Sequence, residues 1–171
     1  FFNSSEKEVA TKGDQVIIDI IARSIRESVH IEGAVILALD APYSPEGKME
    51  RNAGEIYVPN RFVGESLKSF PELYFGASVH PCRPDAIEEL EWSRDNGAVL
   101  VKWLPNIQQI DPSDERHVPY YRKLVELDLP LLSHVGDEES FSTANDALGD
   151  PQLLQLPLKL GVRVIAAHVA S

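Results

Sequence analysis

The stretch Ala34-Val-Ile-Leu-Ala-Leu39, followed directly by Asp40, decides the fold class. It is an unbroken apolar run, and its lack of alternation predicts a strand buried on both faces, as in a parallel sheet. Residues 40–54 are rich in proline, glycine and charged side chains, which predicts a long loop at the carboxyl end of that strand. Loops of this length in compact domains often carry function.

The same pattern recurs along the chain. Further strand-like runs, each followed by a polar residue, occupy residues 73–79, 98–101, 130–133 and 162–167. Helices are predicted at residues 14–28, 59–69, 84–97, 120–127 and 151–160. The pattern also makes Asp14 the N-cap of the first helix and turns Val125 inward in the fourth. Strands and helices in strict alternation predict an α/β fold with a parallel sheet.

Two architectures contain such a sheet, an open doubly wound sheet and an arc of a (β/α)₈ TIM barrel. Neither GxGxxG nor GxxxxGK[ST] follows any of the apolar runs, which favours the barrel. A complete barrel takes about 250 residues, whereas this chain has 171. We therefore expect residues 1–171 to form part of a single barrel domain, about strands two to six, that is inactive without the rest.

Composition and charge limit the partners. The chain has 16 Lys and Arg against 27 Asp and Glu, and its net charge of −11 argues against a nucleic acid or an anionic membrane. Its longest apolar stretches, about six residues, are too short to cross a bilayer. Cys82 is the single cysteine, so an internal disulfide is excluded. We expect a cytoplasmic protein that acts on a small-molecule substrate, with a homo-oligomer left open.

Five chemistry-bearing residues follow the apolar runs directly, namely Asp40, His80, Lys102, His134 and His168. Parallel strands bring such residues to one rim of the sheet, where α/β proteins build their sites. Imidazole and carboxylate groups suit Zn²⁺, and strand ends hold them rigidly. The series Lys102, His134 and His168 therefore predicts a metal site, although each histidine could instead bond a neighbouring loop carbonyl.

The other candidates near the rim have competing interpretations. For His80, a structural hydrogen bond competes with contact to substrate. Arg83 could bind a substrate carboxylate, or it could be a surface charge at a helix start. His30 and His117 fall at a predicted helix end and loop start, where we expect solvated or capping roles.

Lys102 requires compensation, because an unpaired ammonium in a buried strand costs several kcal/mol or loses its proton. An ion pair with Asp137, Glu138 or Asp40 would supply it. The functional alternatives are carbamylation that bridges two metal ions, a bound substrate anion and a Schiff base. Asp137 is the predicted acid–base residue, with Glu138 as the alternative and a merely solvated turn as the competing interpretation.

Four segments in order carry a family resemblance: Phe75-Gly-Ala-Ser-Val-His-Pro-Cys-Arg-Pro-Asp-Ala86, Val101-Lys-Trp-Leu-Pro-Asn106, Leu131-Leu-Ser-His-Val-Gly136 and Val164-Ile-Ala-Ala-His168. Together they resemble the amidohydrolase superfamily, in particular its amidohydrolase-related branch, which includes decarboxylases. The resemblance implies a (β/α)₈ barrel with one or two divalent metal ions, for which we expect zinc. It implies that His134 and His168 bind metal or act beside it, and that Lys102 stands where some subgroups carry a carbamylated lysine.

The chain departs from that family at two points. It has neither the His-x-His pair that ends strand one nor the aspartate that ends strand eight, so we expect these before Phe1 and after Ser171. The resemblance then implies a metal-dependent hydrolase, in which metal-activated water attacks a C–N or C–O bond and His168 is a ligand or acid–base partner. The alternatives are a non-oxidative decarboxylase of an aromatic or unsaturated acid and a non-catalytic, barrel-derived binding protein.

Overall fold

Strands and helices alternate throughout the part of the chain that the computed structural model describes, residues 13–50 and 56–168. The strands are β1 Ala34–Leu37, β2 Leu73–Ala77, β3 Ala98–Trp103, β4 Leu131–His134 and β5 Val164–Ala167. The helices are α1 Gln15–Glu27, α2 Asn60–Ser66, α3 Ala86–Asp95, α4 Pro105–Gln108, α5 Val118–Glu126 and α6 Gln155–Lys159. Short 3₁₀ turns cover Glu115–His117, Asp146–Gly149 and Pro151–Leu154.

The five strands form one parallel sheet in the order β1-β2-β3-β4-β5. Crossovers between parallel strands are right-handed, so a sheet that grows in one direction places its crossover helices on one face. A doubly wound sheet would reverse its strand order at a switch point. The described sheet has no reversal, so the predicted α/β fold is confirmed and its strand order is that of a partial barrel.

The two faces of the sheet differ in burial. The face that contacts the helices, called the outer face here, carries buried side chains such as Phe75, Val101 and Leu131. On the opposite, inner face, Val35 and Leu37 remain 39% and 38% exposed. The expectation that β1 is buried on both faces is therefore wrong, because the described helices cover the outer face alone.

Aromatic side chains join the middle of the sheet to α5. Trp103 at the end of β3 packs against Tyr120 and Tyr121, with ring centroids 5.3 and 5.9 Å away. The Trp103 indole and the Tyr120 hydroxyl both donate hydrogen bonds to the Val79 carbonyl oxygen, at 2.9 and 2.8 Å. Because these bonds satisfy buried polar atoms, large aromatic residues can fill the core beside the rim.

Three local predictions need correction. Asp14 occupies the predicted N-cap position of α1 but makes no side-chain capping bond, because its backbone is already helical, with φ −66° and ψ −14°. Val125 is 46% exposed, since α5 turns Tyr121 and Leu124 towards the sheet. Lys102 lies inside β3 and not after it, because the strand continues to the buried Trp103.

No described helix is long and apolar enough to span a membrane.

The two faces of α5 provide a matched test of the core. We expect Leu124→Ala to lower the free energy of unfolding by about 2–5 kcal/mol, because it opens a cavity at a fully buried position. Val125→Ala on the exposed face should change it by only about 0.5 kcal/mol. Urea unfolding of the two variants measures this difference, and equal losses would contradict the described orientation of the helix.

Candidate active site

The residues that follow the strands reach the same rim, but they form two separate groups. Asp40 and His80 belong to the first, called the Asp40 network, together with Arg83 and Gln108. Lys102, His134 and His168 belong to the second, called the Lys102 cluster, together with Glu138, which the sequence analysis gave as the alternative to Asp137.

Asp40 is the centre of the Asp40 network. It is 3% exposed, and its carboxylate accepts hydrogen bonds from the backbone N–H groups of Ala41 and His80, each at 2.9 Å. Arg83 Nη1 adds an ion pair at 3.1 Å. Burial raises the pKa of Asp40, and the Arg83 charge and these hydrogen bonds oppose that rise. The Asp40 carboxylate therefore links the end of β1 to the segment after β2, through the His80 backbone N–H and Arg83.

His80 has both ring nitrogens occupied. The Cys82 backbone N–H donates to Nδ1 at 3.1 Å, which leaves the ring proton on Nε2, where it is donated to the Gln108 carbonyl oxygen at 2.9 Å. Burial lowers the pKa of His80 to about 4, so the ring is neutral at pH 7. The structural hydrogen bond is thus present. Substrate binding by His80 stays a prediction, and both ring nitrogens already have protein partners.

Arg83 is neutralised by two carboxylates. Its Nη1 bonds Asp40, and its Nε and Nη2 donate to Asp85 at 2.9 Å each. Burial alone would lower the pKa of Arg83. The hydrogen bonds and charges of Asp85 and Asp40 outweigh burial, so the pKa lies above its ordinary value. A cavity of about 210 Å³ lies beside it, lined also by Asn60 and Glu89. Substrate binding by Arg83 stays a prediction that would require an anion to compete with both carboxylates.

Lys102 differs from Arg83 in having no described partner. The residue is 5% exposed, and its Nζ makes no hydrogen bond or ion pair with any residue in the described ranges. Burial lowers its pKa to about 8, and the negative charge of Glu138 partly opposes this. The ion pair with Asp137, Glu138 or Asp40 that the sequence allowed is not formed within 4.0 Å in the described structure.

His134 and His168 lie side by side at the ends of β4 and β5, with ring centroids 5.0 Å apart. His134 Nε2 lies 3.3 Å from the Asp137 carbonyl oxygen, which can only accept, so Nε2 carries the proton. Nδ1 faces the Glu138 carboxylate at 3.9 Å, too far for a hydrogen bond. His168 has φ +62°, an unusual conformation for a residue other than glycine, at the turn that ends β5.

Glu138, and not Asp137, is the carboxylate of the Lys102 cluster. The Asp137 side chain is exposed, whereas the Glu138 side chain is 11% exposed and its Oε1 accepts from the Ser140 backbone N–H at 2.9 Å. Burial raises the pKa of Glu138, but the Ser140 bonds and the charges of both histidines outweigh it and lower the pKa. Catalysis by Asp137 stays a prediction, and the geometry favours its neighbour.

The loop after β4 is held in place by Asn106 at the start of α4. Asn106 Nδ2 donates to the Gly136 carbonyl oxygen and to Asp146 Oδ1, each at 3.1 Å, and Asp146 Oδ1 also accepts the Glu138 backbone N–H at 3.0 Å. Gly149 packs so tightly that a Cβ there would lie 2.2 Å from the Gly136 oxygen. These contacts fix the backbone that carries Glu138.

The Lys102 cluster supplies only part of a metal site. In residues 13–50 and 56–168, no group of three or more His, Cys, Asp or Glu side chains is arranged to hold a metal ion. Zinc sites in proteins use three or four protein ligands. His134 and His168 therefore fit as two ligands, and any others would have to come from a carbamylated Lys102 or from outside these residues.

His117 departs from the solvated role that its sequence position suggested. It is 4% exposed in the 3₁₀ turn before α5, with its ring edge-on to Tyr121 at a centroid distance of 6.4 Å. Burial lowers its pKa. His30, by contrast, is exposed as expected.

Comparisons with known proteins add little to this geometry. No family model matches the chain, and no curated protein matches it. Among solved structures, dihydrodipicolinate synthase from Bacillus clausii is similar at 14% identity and a TM-score of 0.34. The match covers 75% of this chain and 49% of the synthase chain, so this chain spans about half of that protein. The fold assignment rests on the strand order and not on this likeness.

The buried His80 predicts a loss of stability in mild acid. Its pKa is about 4 in the folded state against 6.5 for the free side chain, so the unfolded chain binds more protons between these values. The free energy of unfolding should therefore fall as the pH drops through this window, by about 2 kcal/mol from His80 between pH 7 and 5. Urea unfolding at both pH values measures the fall.

The variants His80→Gln and His30→Gln separate this contribution from those of other groups. His80→Gln should be less stable at pH 7 but should lose less on acidification, with a remaining fall from His117. His30→Gln, at an exposed position, should behave as wild type. An unchanged pH dependence in His80→Gln would show that His80 is not buried in its neutral form.

Proposed function

We propose that this chain carries part of the active site of a metal-dependent hydrolase of the amidohydrolase type, in which His134 and His168 bind a divalent cation such as zinc. The observation that supports this best is the adjacency of their rings, 5.0 Å apart at the ends of neighbouring parallel strands. β4 and β5 are paired in one sheet, which brings His134 at the end of β4 beside His168 in the turn directly after β5.

The bonding of His134 suits a ligand role. Histidine ligands commonly donate their second ring N–H to a carbonyl or carboxylate, which fixes the tautomer. Here Nε2–H points to the Asp137 carbonyl oxygen, so Nδ1 keeps its lone pair for a cation. Glu138 Oε2 lies 3.9 Å from that nitrogen and does not occupy it.

Glu138 supplies the base in this proposal. When bound, the cation would lower the pKa of a water molecule towards 7 and polarise a carbonyl group. A lowered pKa keeps Glu138 ionised at neutral pH, so its carboxylate can accept a proton beside the His134 ring. Asn106 and Asp146 hold its backbone in position, which reduces the reorganisation that proton transfer requires.

The other functional expectations stay predictions. A carbamylated Lys102 as a further metal ligand, a decarboxylase activity, the cytoplasmic location and a homo-oligomer have no observation here that favours them. The non-catalytic binding protein is favoured by one observation, that the described residues lack a complete set of metal ligands. Metal binding by the protein is therefore the property that separates the two readings.

Metal content tests the proposal directly. Purified protein reconstituted with zinc should retain it after desalting, and His134→Ala should lower the zinc content by at least about tenfold, because one strand-held ligand is lost. His30→Ala is the matched control, since His30 is exposed and outside the cluster. Plasma mass spectrometry measures the zinc. Equal content in both variants, or none in wild type, would refute the metal site.

A second comparison tests the choice of carboxylate. In protein that contains the whole barrel domain, and with a panel of ester, lactone and amide substrates, Glu138→Gln should lower turnover by about 10²–10⁴-fold, the usual contribution of a general base. Asp137→Asn should stay close to wild type, because its side chain is exposed while its backbone oxygen holds His134. The reverse order of effects would return the role to Asp137.

A further inference from the structure

Lys102 lies in a row of inner-face residues that crosses three strands. The sheet register pairs Lys102 with Leu132 of β4 and Leu132 with Ile165 of β5. Ile165 is 46% exposed, and Leu132 is half-buried. The side chain of Lys102 therefore lies on the same face of the sheet as these two apolar side chains.

The ammonium group of Lys102 differs from the other cation at the rim in its pairing. Of the two cations that the sequence placed at the rim, Arg83 is paired with Asp40 and Asp85, whereas Lys102 has no hydrogen-bond or ion-pair partner in the described part of the chain. Lys102 Nζ is not among the fully sealed polar atoms without a partner, so it keeps some contact with solvent. A buried unpaired charge is costly, and an incoming anion would relieve that cost.

The one carboxylate that acts on Lys102 leaves its ammonium group unpaired. The negative charge of Glu138 acts on Lys102 without forming an ion pair in the described structure, and Glu138 Oε1 is already bonded to the Ser140 backbone N–H. An incoming carboxylate can therefore bind the ammonium group without displacing a described partner.

The distance to the histidines fits a small molecule. His134 follows Leu132 by two residues, so it lies on the same face as Lys102 and one step further towards the rim. With strands about 4.8 Å apart and a rise of about 3.3 Å per residue, the Cα atoms of Lys102 and His134 are about 8 Å apart. A ligand held at Lys102 would thus place its next few atoms beside His134 and Glu138.

We propose that Lys102 remains an unmodified ammonium group and binds the carboxylate of a small carboxylate substrate. This rests on the proposed function, because it assigns a substrate class to the same site. Lys102 then orients the substrate towards His134 and is not itself a metal ligand.

Binding of benzoate tests this proposal. In NMR titrations at pH 7 the Kd for benzoate should rise at least about tenfold in Lys102→Met, the loss expected for one charge-assisted contact. Lys68→Met is the matched control, because Lys68 pairs with Glu65 on the surface, and it should keep the wild-type Kd. Equal Kd values for benzoate in both variants would overturn the proposal.

Three further measurements make the outcome independent of whether the Lys102→Met variant folds and of whether a metal ion binds. In wild type labelled with ¹³C-dimethyl groups on its lysines, benzoate should shift the Lys102 resonance and leave that of Lys68 in place. Both titrations are run on chelated and zinc-loaded protein. Loss of binding in chelated Lys102→Met supports the proposal even if no metal binds, whereas zinc-dependent binding that ignores Lys102 overturns it and leaves the metal site standing. A carbamate signal on Lys102 in ¹³C-bicarbonate would also overturn it.

Discussion

Packing of the described helices against one face of a parallel sheet is the constraint on which the rest of the structure depends. It follows from right-handed crossovers that all step in the same direction, from β1 to β5. Because every strand then ends at the same rim, residues that are about 30 positions apart in sequence come together there. The outer face supplies the hydrophobic core of the described residues, and the rim gathers the residues that can carry chemistry.

The rim is divided between stability and function. On the β1 and β2 side, the Asp40 carboxylate accepts the His80 backbone N–H, and both His80 ring nitrogens bond the backbone of Cys82 and Gln108. On the β3 to β5 side, Lys102 has no hydrogen-bond or ion-pair partner among residues 13–50 and 56–168, and His134 keeps one ring nitrogen available. Incomplete satisfaction of buried polar groups is costly and is typical of functional sites, so the second group is the candidate active site.

The sequence predicted the fold and the positions of the rim residues because both follow from local patterns. Apolar runs that end in Asp40, His80 or His134 are visible without any tertiary contact. The sequence offered a structural hydrogen bond for His80, which the structure shows, but it could not identify the partner, Gln108, which lies 28 residues away. It also assigned Lys102 to a strand end, although burial of the Trp103 side chain extends β3 beyond it.

The choice between Asp137 and Glu138 shows the same limit more sharply. The two carboxylates are adjacent, so composition and spacing cannot separate them. What separates them is the path of the loop. Asn106, 30 residues before Gly136, and Asp146, 8 residues after Glu138, fix that path by hydrogen bonds. Gly136, with φ +98°, makes the sharp turn that this path requires. The residue in the sequence that points to this loop path is Asn106, because a polar side chain next to a strand end needs hydrogen-bond partners in a neighbouring segment.

The central claim is that His134 and His168 bind a metal ion together, and anomalous X-ray scattering at the zinc edge tests it most directly. Crystals of the protein grown with zinc should show an anomalous peak within about 2.0–2.1 Å of a ring nitrogen of each histidine, the usual zinc–nitrogen distance. A map with no peak between these rings, or with zinc bound to other residues alone, would contradict the account.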